Sequence, residues 1–183
     1  MAVARFHLDR TALLLVDMQE KLLPHIHDHE TVLDQAGRLL DAANALDLPV
    51  LVTEQYRKGL GDTVPALRNR LTSTACIFEK LKFSACIEPV RRELSRRSLT
   101  SVVVCGIEAH VCILQTCLDL VERGPTAALA VDAIGSRRSA DKNAAIDRMT
   151  QAGIVPTTVE SVVLELVREA GGARFKAVLP IIK

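Results

Sequence analysis

An α/β fold with an open, mostly parallel six-stranded sheet and helices on both faces follows from three features of the sequence. Six short runs rich in β-branched and aliphatic residues alternate with longer runs whose apolar residues recur every three or four positions. Two of the short runs, around Leu13-Leu14-Leu15-Val16 and Val102-Val103-Val104, are apolar without alternation, as parallel strands covered on both faces require. The chain has 183 residues, 49% of them hydrophobic, which suits one domain over residues 1–183 with a single substantial core.

The strands are expected at Thr11 to Val16, Val50 to Thr53, Ala75 to Phe78, Ser101 to Cys105, Ala127 to Val131 and Ile154 to Thr158. Helices are expected at Thr31 to Leu46, Ile87 to Arg97, Ala109 to Glu122, Ser139 to Gln151 and Ser161 to Glu169, because each carries one apolar stripe at helical period. Gly124 and Gly153 follow two of these helices, where glycine commonly ends one. The stretches His25 to Glu30 and Gln55 to Val64 read as irregular, and the apolar tail Ala177 to Ile182 is assigned either to a partner or to the chain's own sheet.

Charge narrows the function. With 23 basic and 22 acidic residues the net charge is +1, and neither sign forms a block, so nucleic acid and anionic membranes are not expected as partners. One Tyr and no Trp leave little for stacking single-stranded bases. No run approaches the roughly 20 apolar residues of a membrane span, and the first ten residues lack a signal-peptide pattern, so a cytoplasmic protein with a small-molecule substrate is expected. No GxGxxG follows the first strand, which argues against a dinucleotide-binding oxidoreductase.

In an open parallel sheet, ligands bind beyond the carboxyl ends of the strands, beside the point where the winding reverses. Asp17 directly follows the first strand, Lys80 the third, and Cys112 opens the helix after the fourth. Each has an ordinary explanation: Asp17 as a helix cap, Lys80 as a surface charge with Lys82 as its rival, and Cys112 as packing. The first turn of a helix, however, gives a thiol the positive end of the dipole and free backbone N–H groups. These would lower its pKa from about 8.5 toward neutrality. Cys76, Cys86, Cys105 and Cys117 have no such position, and five cysteines without paired spacing suggest no disulfide or zinc framework. Gln19, two residues past Asp17, is a candidate to orient Lys80 or the substrate, the alternative being a solvent-facing amide.

Together the motifs Leu14-Leu15-Val16-Asp17-Met18-Gln19, Lys80 with Phe83-Ser84-Ala85, and Gly106 to Cys112 followed by Gln115-Thr116 resemble those of the isochorismatase-like cysteine hydrolases, in the same order. Val131-Asp132-Ala133 with Ser136-Arg137 extends the likeness over nearly the whole chain. The resemblance implies a Rossmann-like sheet, Asp17, Lys80 and Cys112 as catalytic residues, and Lys80 rather than Lys82 as the lysine. It also implies a cis peptide between Ile107 and Glu108, and an oxyanion hole from backbone N–H groups of Cys112 and of Glu108 or Ala109. Thr53 to Tyr56 and Gly59-Leu60-Gly61 resemble the pocket loop of small metal-free relatives, which makes Gln55, Tyr56, Leu60 and Glu108 candidates to bind substrate beside Gln19. Pro is usual in that loop where this chain has Arg57.

By the same resemblance Asp17 would deprotonate Cys112, whose sulfur attacks an amide-like carbonyl to give a thioester. Vinyl ether hydrolysis of the isochorismatase type is the alternative reaction, and a redox sensor or metabolite-binding protein using Cys112 is the alternative class. No metal and no cofactor is expected: the segment Glu54 to Gly61 lacks the histidines of metal-dependent relatives, and His25, His27 and His29 read as a solvated turn. A homo-oligomer, dimer or tetramer, is implied as well.

Overall fold

The computed structural model describes residues 4–183. Its strands are β1 (Thr11–Val16), β2 (Val50–Gln55), β3 (Cys76–Lys80), β4 (Ser101–Ile107), β5 (Thr126–Gly135) and β6 (Val155–Thr157). They form one sheet in the order β3-β2-β1-β4-β5-β6, and every pairing is parallel, so the sheet is wholly rather than mostly parallel.

Period-two alternation sorts the apolar strand residues onto two faces. Leu13, Leu15, Val103 and Cys105 meet α1 (His29–Ala45), α7 (Val159–Val167) and α8 (Ala173–Ile182). Ala12, Leu14, Val16, Val102 and Val104 meet α4 (Glu88–Arg96), α5 (Leu114–Glu122) and α6 (Ser139–Gln151). Every residue of β1 and β4 is buried, which is why their sequences show no polar alternation. Successive crossovers wind outward from β1 on one side and from β4 on the other. The β1/β4 boundary is therefore the switch point.

Several boundaries differ from expectation. Strand β3 runs two residues further, so Lys80 is its last residue rather than a loop residue. The loop after β2 contains two single-turn helices, α2 (Arg57–Leu60) and α3 (Pro65–Arg68). Strand β5 carries extra residues between Leu129 and Ile134, and Asp132, in this bulge, accepts the Val159 N–H at the start of α7. The tail Ala177 to Ile182 is helical and packs against α1 and α7, with Val178 buried and Arg38 donating to the Lys183 carbonyl. Among the described residues no helix is long and apolar enough to cross a membrane.

Gly106 holds the switch point closed. It pairs with Val16 at φ +121°, and a Cβ there would lie 2.0 Å from the Val16 carbonyl oxygen. Only a residue without a side chain lets β4 approach β1 so closely, at the level where Asp17 leaves the sheet. Gly106→Ala is expected to lose about 1–3 kcal/mol through backbone strain, plus whatever the clash adds, read as a lower denaturant midpoint. An unchanged midpoint would show that the strands can separate without loss.

Candidate active site

Asp17, Lys80 and Cys112 converge beyond the carboxyl ends of β1, β3 and β4. The Lys80 ammonium donates to Asp17 Oδ2 at 2.6 Å, and both side chains are fully buried. Such a pair survives burial only if its remaining hydrogen-bonding positions are filled. They are: Lys80 also reaches Gln55 Oε1 at 2.7 Å and the carbonyls of Lys82 and Phe83 at 3.1 and 2.9 Å, while the Thr53 hydroxyl donates to Asp17 Oδ1 at 2.8 Å. Lys82 thus contributes a backbone carbonyl to the cage, and its own side chain is exposed.

The Cys112 thiol lies within the electrostatic reach of the same Asp17 carboxylate. Its pKa is the main departure from the sequence expectation. Burial, reinforced by the negative charge of Asp17, pushes it up to about 12, against the opposing pull of Lys80 and a backbone contact from Glu108. The helix start does not prevail, and the free protein holds a thiol rather than a thiolate. Burial likewise raises Cys105 and Cys117 to about 12, so the shift alone does not single out Cys112. Its contact with a carboxylate that is itself paired to an ammonium does. Burial also raises Asp17, with Lys80 opposing, and so makes that carboxylate a stronger base than an exposed one.

Backbone geometry explains how Cys112 is presented. The Ile107–Glu108 peptide is cis, and Ala109–Ile113 form a π turn instead of the first α turn expected. The Glu108 carbonyl accepts from Val111 and Ile113, both at 3.1 Å, and skips the N–H of Cys112. The Thr116 hydroxyl donates to the Cys112 carbonyl at 2.6 Å and accepts from Ala85 at 2.7 Å, which ties the turn that carries Cys112 to the loop that cages Lys80.

The other expected site residues divide. Gln55 touches Lys80 directly and donates to the Leu81 carbonyl. Gln19 is fully buried and reaches neither Lys80 nor solvent. Its amide donates to the carbonyls of Gln55 and Gly61 and accepts the Gln55 N–H, so it fixes the loop that carries Gln55. Glu108 turns its carboxylate to the backbone N–H and Nε of Arg137, while Ala109 is buried at the start of the π turn. Tyr56 is exposed at φ +37°, and Leu60 is half-buried at the end of α2. Among the described residues no group of three or more His, Cys, Asp or Glu gathers as metal ligands, and His25 and His27 are exposed.

Sequence reasoning placed Thr53 and Glu54 in the pocket-loop motif but gave neither a role. Glu54 is 1% exposed and accepts from the N–H and hydroxyl of Thr63 and from Arg68, bracing the loop that Gln19 pins. The available clue was polarity at the end of the apolar run Val50 to Val52, at the same sheet edge as Asp17.

A doubly wound parallel sheet with a thiol, a carboxylate and an ammonium gathered at its switch point defines a class, the α/β hydrolases of isochorismatase-like fold. Residues 11–161 match the family description "Isochorismatase domain". Mouse isochorismatase domain-containing protein 2A is 42% identical, the alignment covering all of this chain and 90% of the relative. The chain belongs to the isochorismatase family. Among solved structures, one described as MAR1 ribonuclease from Caenorhabditis elegans superposes with TM-score 0.94 at 43% identity, covering 98% of this chain and 92% of that one. YcaC from Pseudomonas aeruginosa, described with hexane-2,5-diol and covalent acrylamide, gives TM-score 0.90 at 25% identity, covering 99% and 93%.

Removing one member of the buried pair should cost more than removing both charges. Lys80→Met is expected to lose about 3–5 kcal/mol because it strands Asp17, and adding Asp17→Asn should recover part of that loss. The folded Lys80→Met protein binds the Asp17 proton more tightly than the unfolded chain does, so its deficit should grow as pH rises above about 4. Urea unfolding across pH measures both; strictly additive losses would show that the two groups are not coupled.

Proposed function

We propose that the protein hydrolyses a small amide-like C–N substrate through a thioester on Cys112. The observation carrying this reading is that the Cys112 thiol sits beside the Asp17 carboxylate, which is ion-paired to the buried Lys80 ammonium. Asp17 takes the thiol proton as the sulfur attacks the carbonyl carbon, and Lys80 offsets the negative charge that moves onto sulfur. The proton moves during attack, because the resting thiol is held near 12.

The new C–S bond gives a tetrahedral oxyanion. The Cys112 N–H left aside by the Glu108 carbonyl, with the N–H of Glu108 or Ala109, is placed to hold it; one such donor contributes roughly 3 kcal/mol in studied hydrolases. Collapse breaks the C–N bond, and the amine leaves with the proton from Asp17. Water then gives a proton back to Asp17 as it attacks the thioester, the C–S bond breaks, and Cys112 recovers its proton. Gln55 supports this cycle through Lys80, and Tyr56 and Leu60, on the same loop, are the candidates to bind substrate. The covalent acrylamide described for the Pseudomonas aeruginosa relative is in keeping with a nucleophilic site on this fold. Five free thiols suit a reducing compartment such as the cytoplasm, and the homo-oligomer implied by the resemblance belongs to the same reading.

The description of the Caenorhabditis elegans relative favours ribonuclease activity as a second reading. The two separate on one panel of small amides, carbamoyl compounds and RNA. Under the amidase reading an amide is turned over, an acyl adduct appears on Cys112 by intact mass, and Cys112→Ala abolishes both. Asp17→Asn is expected to slow turnover by about 10²–10⁴-fold. RNA cleavage that survives Cys112→Ala, with no amide hydrolysed, would contradict the thioester mechanism.

A further inference from the structure

Lys142, in the first turn of α6, is the only half-buried lysine among the described residues, and the mechanism above gives it no part. It lines a cavity of about 270 Å³ between the starts of α1 and α6, with Asp28, Thr31, Asp132, Ser139 and Asn143 on the wall. Asp17, Lys80, Glu108 and Cys112 do not reach this cavity. Both of its carboxylates are engaged elsewhere: Asp28 Oδ1 accepts from the Thr31 hydroxyl at 2.9 Å, and the two oxygens of Asp132 accept from the Val159 N–H at 3.0 and 3.1 Å. The Lys142 ammonium enters no ion pair or hydrogen bond among the described residues. Among those residues no side-chain nitrogen without a partner is buried, so Lys142 Nζ is open to the cavity that it lines. Burial lowers the pKa of this amine from the ordinary lysine value, with Asp132 and Asp28 opposing.

We propose that Lys142 forms an imine with a small hydroxylated aldehyde held in this cavity. A lysine without partners and partly out of water supplies the free amine that imine chemistry needs. Its nitrogen adds to the aldehyde carbon; the carbonyl C–O bond then breaks, and both amine hydrogens leave with the oxygen as water. The imine nitrogen can take up a proton, and Asp28 and Asp132 are the nearby counter-charges for it. The same two carboxylates repel an anionic electrophile such as an acyl phosphate. A cavity smaller than the roughly 300–1,000 Å³ of drug-sized sites suits a ligand of about three or four carbons, and the hydroxyls of Thr31 and Ser139 and the amide of Asn143 suit its hydroxyl groups. The site does not depend on Cys112 and stands apart from the thioester reading.

The test incubates the protein at neutral pH with glyceraldehyde or with butanal, traps the imine with cyanoborohydride, and follows the adduct at each lysine by peptide mass. Glyceraldehyde should modify Lys142 about tenfold faster than the exposed Lys58, Lys82 and Lys176, the effect of one or two hydrogen bonds in the cavity. The preference should be smaller with butanal, which has no hydroxyl groups, and with acetyl phosphate, which carries negative charge. Ser139→Leu, at an exposed position on the cavity wall, should reduce the preference while leaving the circular dichroism of the fold unchanged. Cys112→Ala should keep the full preference, so this result is read separately from that of the thioester mechanism. Modification that merely follows exposure would overturn the proposal. So would a preference for Lys142 that is equally large with butanal or acetyl phosphate, or one unmoved by Ser139→Leu in the folded protein.

Discussion

The contact between Asp17 and Lys80 is the constraint around which the site is arranged. Two opposite charges out of water are tolerable only when nearly every remaining lone pair and proton is matched, and each match recruits another element. Thr53 supplies a hydroxyl from β2, Gln55 an amide from the end of β2, and Lys82 and Phe83 their carbonyls. Gln19 then fixes the backbone of Gln55, and Thr116 fixes the loop after Lys80 to the helix that carries Cys112. Among the described residues no buried side-chain nitrogen or oxygen is left without a partner. The network ties the ends of β1, β2 and β3 to the π turn that carries Cys112.

The same burial that makes the pair costly sets the chemistry of the sulfur. A thiolate at the start of a helix would be the simpler nucleophile, but here low polarity and a neighbouring carboxylate favour the neutral thiol. A neutral thiol resists casual oxidation and alkylation, and in the proposed mechanism Asp17 receives its proton when a carbonyl arrives. That mechanism couples reactivity to substrate binding.

Much of the fold was legible because parallel strands buried on both faces leave a plain mark, as in Leu13 to Val16 and Val102 to Val104. Asp17, Lys80 and Cys112 could be placed at one sheet edge for the same reason: strand ends are readable and the topology brings them together. What was not legible depends on single hydrogen bonds or on burial. The π turn differs from an α turn only in which N–H the Glu108 carbonyl takes. The burial of Gln19, expected to orient Lys80 or the substrate, and of Glu54, which was given no role, shows only once the loop over them is seen. Burial of Cys112 outweighs a dipole effect that the sequence does show. Helix α8 was hidden by Pro180 and by the glycines before it, which weaken any helical pattern.

The coupling of the three groups is tested most directly by the pH dependence of Cys112 alkylation with iodoacetamide in the wild-type protein and in Asp17→Asn. If Asp17 holds the thiol in its neutral form, the wild-type rate keeps climbing beyond pH 9, about the ordinary cysteine value. The variant, with Lys80 no longer countered, reaches its plateau at lower pH and is labelled faster at neutrality although its turnover has fallen. An Asp17→Asn profile that coincides with wild type, or that shifts upward, would contradict a thiol governed by the Asp17–Lys80 pair.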